Sequence, residues 1–149
     1  MNAYEFTASL RIRHPGIEPS EITRALGIEP QHTWKAGDSR LGSTGETLEG
    51  IYRESYWMGR LMDEPQLSSE LVSVEGLVLQ ILTQLRRSQD FLARLSKDGG
   101  VAELHINVFT RENFRLELSS ESLTLLGRLG LGIALEVNSK VVQAPSRPT

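Results

Sequence analysis

Residues 18–38, EPSEITRALGIEPQHTWKAGD, hold a short helix between two stops, and that pattern constrains the fold more than any other in the chain. Pro19 suits the first helical position, where its missing N–H would be unpaired anyway. Glu18 and Glu21 place negative charge at the positive end of the helix dipole. Ile22, Ala25 and Leu26 recur at i, i+3 and i+4 and make one apolar face. Gly27 supplies a left-handed C-terminal cap, and Pro30 cannot continue the helix. A helix of about two and a half turns is marginal in water by itself. It persists only where Ile22 and Leu26 are covered by a sheet, so the chain must build one.

The strands of that sheet are legible as alternation. Tyr4, Phe6, Ala8, Leu10 and Ile12 point one way, and Glu5, Thr7, Ser9, Arg11 and Arg13 the other. His14-Pro15-Gly16 ends this strand. A short strand over 32–35 precedes the Gly37-Asp38 turn. The stretch 51–60 has aromatic strand character, with Tyr52, Tyr56 and Met58 on one face and Trp57 opposed. Ala102, Leu104, Ile106 and Val108 alternate with Glu103, His105 and Asn107. Arg111-Glu112-Asn113 then reads as a hairpin loop, and Phe114, Leu116 and Leu118 as its return strand. Leu131, Ile133, Leu135 and Val137 alternate in a last strand. Residues 38–50 (DSRLGSTGETLEG) read as a mobile loop. The tail from Ser139, with two prolines and two serines, is expected to fray.

Two further helices follow from 3.6-residue spacing. Val74, Leu77, Val78, Ile81, Leu82 and Leu85 give the strongest helical signal, starting near Ser69 or Ser73. The stripe is interrupted at 88–90 and resumes with Phe91, Leu92 and Leu95, which predicts a kinked helix or two consecutive ones over 70–97. Ser119 or Ser120 caps the last helix, with Leu123, Leu125, Leu126 and Leu129 as its apolar side and Gly130 as its stop. The order is β-α-β-β-α-β-β-α-β. Strands with one apolar and one polar face imply a single antiparallel or mixed sheet with helices mainly on one side: an α+β fold related to ferredoxin-like architecture, with one domain over 1–138. Phe6, Leu10, Ile22, Leu26, Leu77, Ile81, Leu104, Ile106, Leu116 and Ile133 form the expected core. The Leu-Gly-Ile and Leu-Gly-Leu helix exits at 26–28 and 129–131 echo each other, either by duplication of a β-α-β unit or because capped short helices look alike.

Composition narrows the class. A chain of 149 residues buries ~70% of the surface its unfolded form exposes and needs no staple. It has no cysteine, which removes disulfides, thiolate nucleophiles and cysteine-based zinc sites and fits a reducing compartment. A net charge of −3 argues against nucleic acid. No apolar run approaches the ~20 residues of a membrane span. The first residues lack the basic start and apolar core of a signal peptide, so a cytoplasmic protein is expected.

The words GIEPSEITRALGIEP, Trp34-Lys35-Ala36-Gly37-Asp38, Tyr56-Trp57 and SSESLTLLGRLGLGIALEV together resemble a bacterial family, the domain-of-unknown-function family 4279. The resemblance covers nearly the whole chain. It implies the helix, turn, tryptophan strand and closing helix–strand just described, and it carries no activity, so it brings no catalytic residue. Small cytoplasmic proteins of this class often act as partners, toxin-neutralising immunity proteins among them.

Trp34, Lys35, Gly37 and Asp38 are the leading site cluster. They read either as an aromatic, an ammonium and a carboxylate presented on a glycine turn, or as a core tryptophan with a self-bonded turn. His14, His32 and His105 lack metal-ligand spacing, and His105 is expected in solvent. Gly127, Gly130 and Gly132 close a helix, whereas a phosphate loop opens one. The polar sheet face would carry Arg11, Arg13, Glu103, His105, Arg115 and Glu117. An RNA-binding sheet would put stacking aromatics there, whereas Tyr4, Phe6 and Phe114 take the apolar register. No nucleophile, acid–base pair or cofactor motif is visible. The sequence therefore predicts a non-enzymatic protein-interaction module acting through the 38–50 loop and the polar face, including Arg115 and Glu117. It expects a protein partner, with no cofactor, metal, membrane or nucleic acid. The alternative is a small-ligand-binding domain built on the Trp34–Asp38 turn.

Overall fold

A computed structural model describes residues 2–139. In chain order the elements are β1 (Glu5–His14), α1 (Pro19–Leu26), β2 (His32–Trp34), β3 (Ser39–Leu41), β4 (Thr47–Ile51), β5 (Ser55–Arg60) and β6 (Leu67–Ser68). Then come α2 (Val74–Leu85), a 3₁₀ turn (Arg86–Ser88), α3 (Gln89–Lys97), β7 (Val101–Phe109), α4 (Ser120–Arg128) and β8 (Leu131–Asn138). The main sheet runs β2-β5-β1-β7-β8, with β6 beside the start of β1. β1 lies at its centre, antiparallel to both β5 and β7, while β8 joins β7 in parallel, so the sheet is mixed and the fold is α+β.

Each strand's alternation assigns a face. Tyr4, Phe6, Ala8, Leu10 and Ile12 of β1, the even positions 102–108 of β7, and Trp57 of β5 are buried on one side, and the helices pack there. On α1, Ile22 and Leu26 are buried, and Gly27 takes φ 68° while its N–H donates to the Thr23 carbonyl at 2.8 Å. Ala25, expected on the same face, is exposed, because so short a helix meets the sheet along a narrow stripe. Trp57 fastens that contact. Its ring is fully enclosed, and its indole N–H donates to Thr23 Oγ1 at 3.0 Å. The ring lies over Gly59, where an added Cβ would fall 2.6 Å from the indole. The helical stripe over 70–97 forms as two helices separated by the 3₁₀ turn, and Ser73 caps α2 by accepting from the Gly76 N–H at 2.9 Å.

Four sequence expectations are corrected. First, the chain does not fold back after β7. Residues 111–119 run as an extended segment without strand pairing, and α4 then returns the chain to lay β8 beside β7. Phe114, Leu116 and Leu118 do face inward, but they pack on the core half-buried, with the Phe114 ring centroid 5.1 Å from that of Tyr4. One-sided alternation suits any extended chain laid on an apolar layer, and the outer edge of β7 is taken by β8. Arg115 and Glu117 are therefore not on the sheet.

Second, the 38–50 segment is not loop throughout but contains the β3–β4 hairpin. All its strand residues are exposed, so its pairing rests on backbone bonds that leave no hydrophobic pattern. Third, Ile133 is not core. Only Leu131 of β8 is buried, while Ile133, Leu135 and Val137 stand 38%, 51% and 50% exposed on the edge strand, and Leu123 of α4 is exposed as well. α4 covers the start of β8 and no more. Fourth, His105 is not in solvent but 7% exposed. The tail expected to fray lies, beyond Ser139, outside the described residues. Among the described residues no helix is long and apolar enough to cross a membrane.

Candidate functional site

The Trp34–Asp38 turn is built into the end of the sheet. Trp34 pairs with Tyr56 across β2 and β5 and is half-buried, neither a core residue nor a free one. Its ring stacks on Tyr56, with centroids 4.4 Å apart at 22°, and on Tyr52, 4.6 Å apart at 11°. Gly37 takes φ 91° and donates its N–H to the Tyr52 carbonyl at 2.8 Å, while the Tyr52 N–H donates to the Asp38 carbonyl at 3.0 Å. Lys35 reaches back to Glu18 ahead of α1, Nζ to carboxylate 2.5 Å, and the Glu18 hydrogen bond and charge raise its pKa above the ordinary lysine value. The backbone of the turn and the lysine charge are thus occupied internally. What the turn presents outward is the aromatic stack.

Arg115 and Glu117 lie apart from that stack, on the extended segment, and form an ion pair with each other. They line a cavity of about 620 Å³ together with Asn2, Tyr4, Glu70 and Glu75. Glu75 is engaged too. One carboxylate oxygen accepts the Ser119 N–H at 2.9 Å and the other accepts the hydroxyl of the fully buried Ser122 at 2.9 Å, so α2 holds the start of α4. These bonds, from Ser119 above all, keep its pKa below the usual carboxylate value.

The helix-free face of the sheet carries its polar residues. The pairings place Arg13 beside Tyr56, Arg11 between Met58 and Glu103, and Ser9 between Arg60 and His105. Between β5 and β6 the chain swings out over this face. Arg60 holds the excursion by donating to the Glu64 and Pro65 carbonyls at 2.6 and 3.0 Å. A cavity of about 300 Å³ results, lined by residues that include Arg11, Arg60, Gln31, Gln66, His105 and Asn107, with no Asp or Glu among them. His105 lines the same cavity and is buried between its neighbours on β1 and β8. Burial, and then the Arg11 charge, push its imidazole pKa below 6.5, against the opposing pull of Glu136 and Glu103. Glu136 stands behind it, 3.3 Å from Nε2. Arg11 Nε is enclosed and meets no hydrogen-bond acceptor among the described residues.

The sequence brought Trp34, Lys35, Gly37 and Asp38 together because they are neighbours in the chain. Arg11 and His105 were placed on the polar face, yet nothing in their pattern marked them as cavity lining, which depends on an excursion from another strand. The expectation that aromatics avoid this face holds for β1 and fails at the sheet edge, where Trp34 and Tyr56 occupy it. Among the described residues no group of three or more His, Asp or Glu converges in a way that would hold a metal.

The chain belongs to the family described as "Domain of unknown function (DUF4279)", whose model matches residues 4–140. No curated protein and no solved structure matches it.

Proposed function

We propose that this member of the family is a non-enzymatic interaction module whose protein partner docks on the helix-free face of the sheet. The observation that carries the proposal is the composition of that face. Trp34, Tyr52, Tyr56, Met58 and Arg13 are of the residue types enriched at interface centres. The rings stack on one another instead of standing free as platforms for bases, which favours a protein over a nucleic acid. An immunity-like role, neutralising a toxin by occupying it, is one form such a module takes.

The test is capture of partners from host lysate by the tagged protein and its variants. The expected result is one stoichiometric protein retained by the wild type and lost with Arg13→Glu and Tyr56→Ser, neither of which unfolds the domain. Arg115→Glu, on the opposite side, keeps it. Equal capture by the sheet-face variants, or no partner for the wild type, overturns the proposal.

A further inference from the structure

The charge distribution around the 300 Å³ cavity is unusual for this molecule. The chain has 19 acidic residues against 16 basic ones, yet the cavity is lined by two arginines, a buried histidine and amide side chains, with no carboxylate in the lining. A cross-strand acid stabilises an arginine on a sheet. Arg11 has Glu103 as its β7 neighbour and forms no ion pair with it or with any other described residue. Its Nε is enclosed without an acceptor. A guanidinium kept partly out of water and left unpaired costs stability unless something else supplies the negative charge.

The rest of the wall fits that reading. Arg60 is anchored by backbone carbonyls, which accept its hydrogen bonds while leaving its full positive charge at the rim. Gln31, Gln66 and Asn107 offer amide donors around the same space. Arg11, Arg60, His105 and Asn107 stand on paired strands of the main sheet, so their backbone positions are fixed before any ligand arrives.

We propose that this cavity is a binding site for a small oxyanion, a carboxylate or a phosphate, with Arg11 as its principal ligand. The proposal goes beyond protein docking on the same face and does not depend on it, because the donors converge in the cavity and not on the aromatic stack.

The test uses the isolated full chain, with inorganic phosphate and succinate titrated in separate arms and sodium chloride as the ionic-strength control. Binding is followed by calorimetry and by the ¹⁵N resonance of the Arg11 Nε–H. At least one of the two anions is expected to saturate and to shift that resonance, while chloride does not. Arg11→Met weakens that binding about tenfold or more, the loss expected for a charge-assisted, forked contact. Arg115→Met leaves it unchanged. Absence of saturation in both arms overturns the site, as does undiminished binding in Arg11→Met. If Arg11→Met fails to fold, the wild-type resonance decides alone. A protein partner that still docks when both arms are negative sinks this site and leaves the docking reading standing.

Discussion

Two cavities lie on opposite sides of the sheet, and they use charge in opposite ways. The larger one, beside α2 and the extended segment, is rich in carboxylates, and three of its charged groups are engaged by the protein itself. Glu75 bonds Ser119 and Ser122, and Glu117 pairs with Arg115. The smaller one, under the β5–β6 excursion, is lined by cations that no carboxylate of the lining neutralises. Size and polarity alone would direct attention to the first. The hydrogen-bond partners tie the first to the fold through Glu75 and the start of α4, and in the second they leave Arg11 Nε without an acceptor among the described residues.

Glu75→Gln strikes hardest at that contrast. This change removes the charge from two bonds that fix the start of α4, one of them to a buried hydroxyl. The melting temperature is expected to fall by about 3–6 °C, measured by calorimetry at neutral pH. The folded pKa of Glu75 lies below the ordinary 4.5, so on acidification the unfolded chain takes the proton first. Its contribution is complete above about pH 4.5 and is lost as the pH falls through the folded value; that part of the acid sensitivity disappears in the variant. An unchanged melting temperature would mean that the larger cavity is as free as the smaller.

Arg11→Met should move the other way: the melting temperature stays level or rises by ~1–3 °C, because an unpaired charge leaves an enclosed site. A clear loss of stability would show that Arg11 serves the fold after all. His105→Asn sharpens the same point through pH. The folded imidazole has a pKa below 6.5, so stability is full above that value and declines as the pH drops from there toward the folded pKa. The variant is expected to flatten the stability profile over that window, read from urea midpoints at several pH values. The smallest effect belongs to Arg115→Gln and Glu117→Gln, an exposed pair whose removal leaves the urea midpoint unchanged within error.

Helices and central strands could be read from the chain because each buries a periodic face. Ser73 before Val74 and Gly27 after Leu26 delimit two helices by local chemistry, and the β1 alternation assigns both faces of the sheet. Where the reading failed, the missing information was which element covers which. Ile106 and Leu116 sit in the same kind of alternating stretch, yet Ile106 belongs to a paired strand and Leu116 to a segment that merely rests on the core. Ile133 carries the pattern of a buried strand but sits past the reach of α4. His105 occupies a polar-face position and is nonetheless buried, because β1 and β8 flank it on both sides in the sheet. The candidate turn at Trp34–Asp38 was visible as a motif, whereas the Arg11 cavity is assembled from β1, β5, β7 and the excursion, and no local pattern announces it.

The placement of β1 has a consequence for how the protein is made. This central strand is synthesised before either of its partners, for β5 begins at Ser55 and β7 at Val101. Phe6, Leu10 and Ile12 thus lack their β7 neighbours until the chain has grown past Val101, and the sheet closes through contacts about a hundred residues apart. Pairings this distant in sequence tend to close slowly, and until they form an apolar strand is open to chaperones and to neighbouring chains.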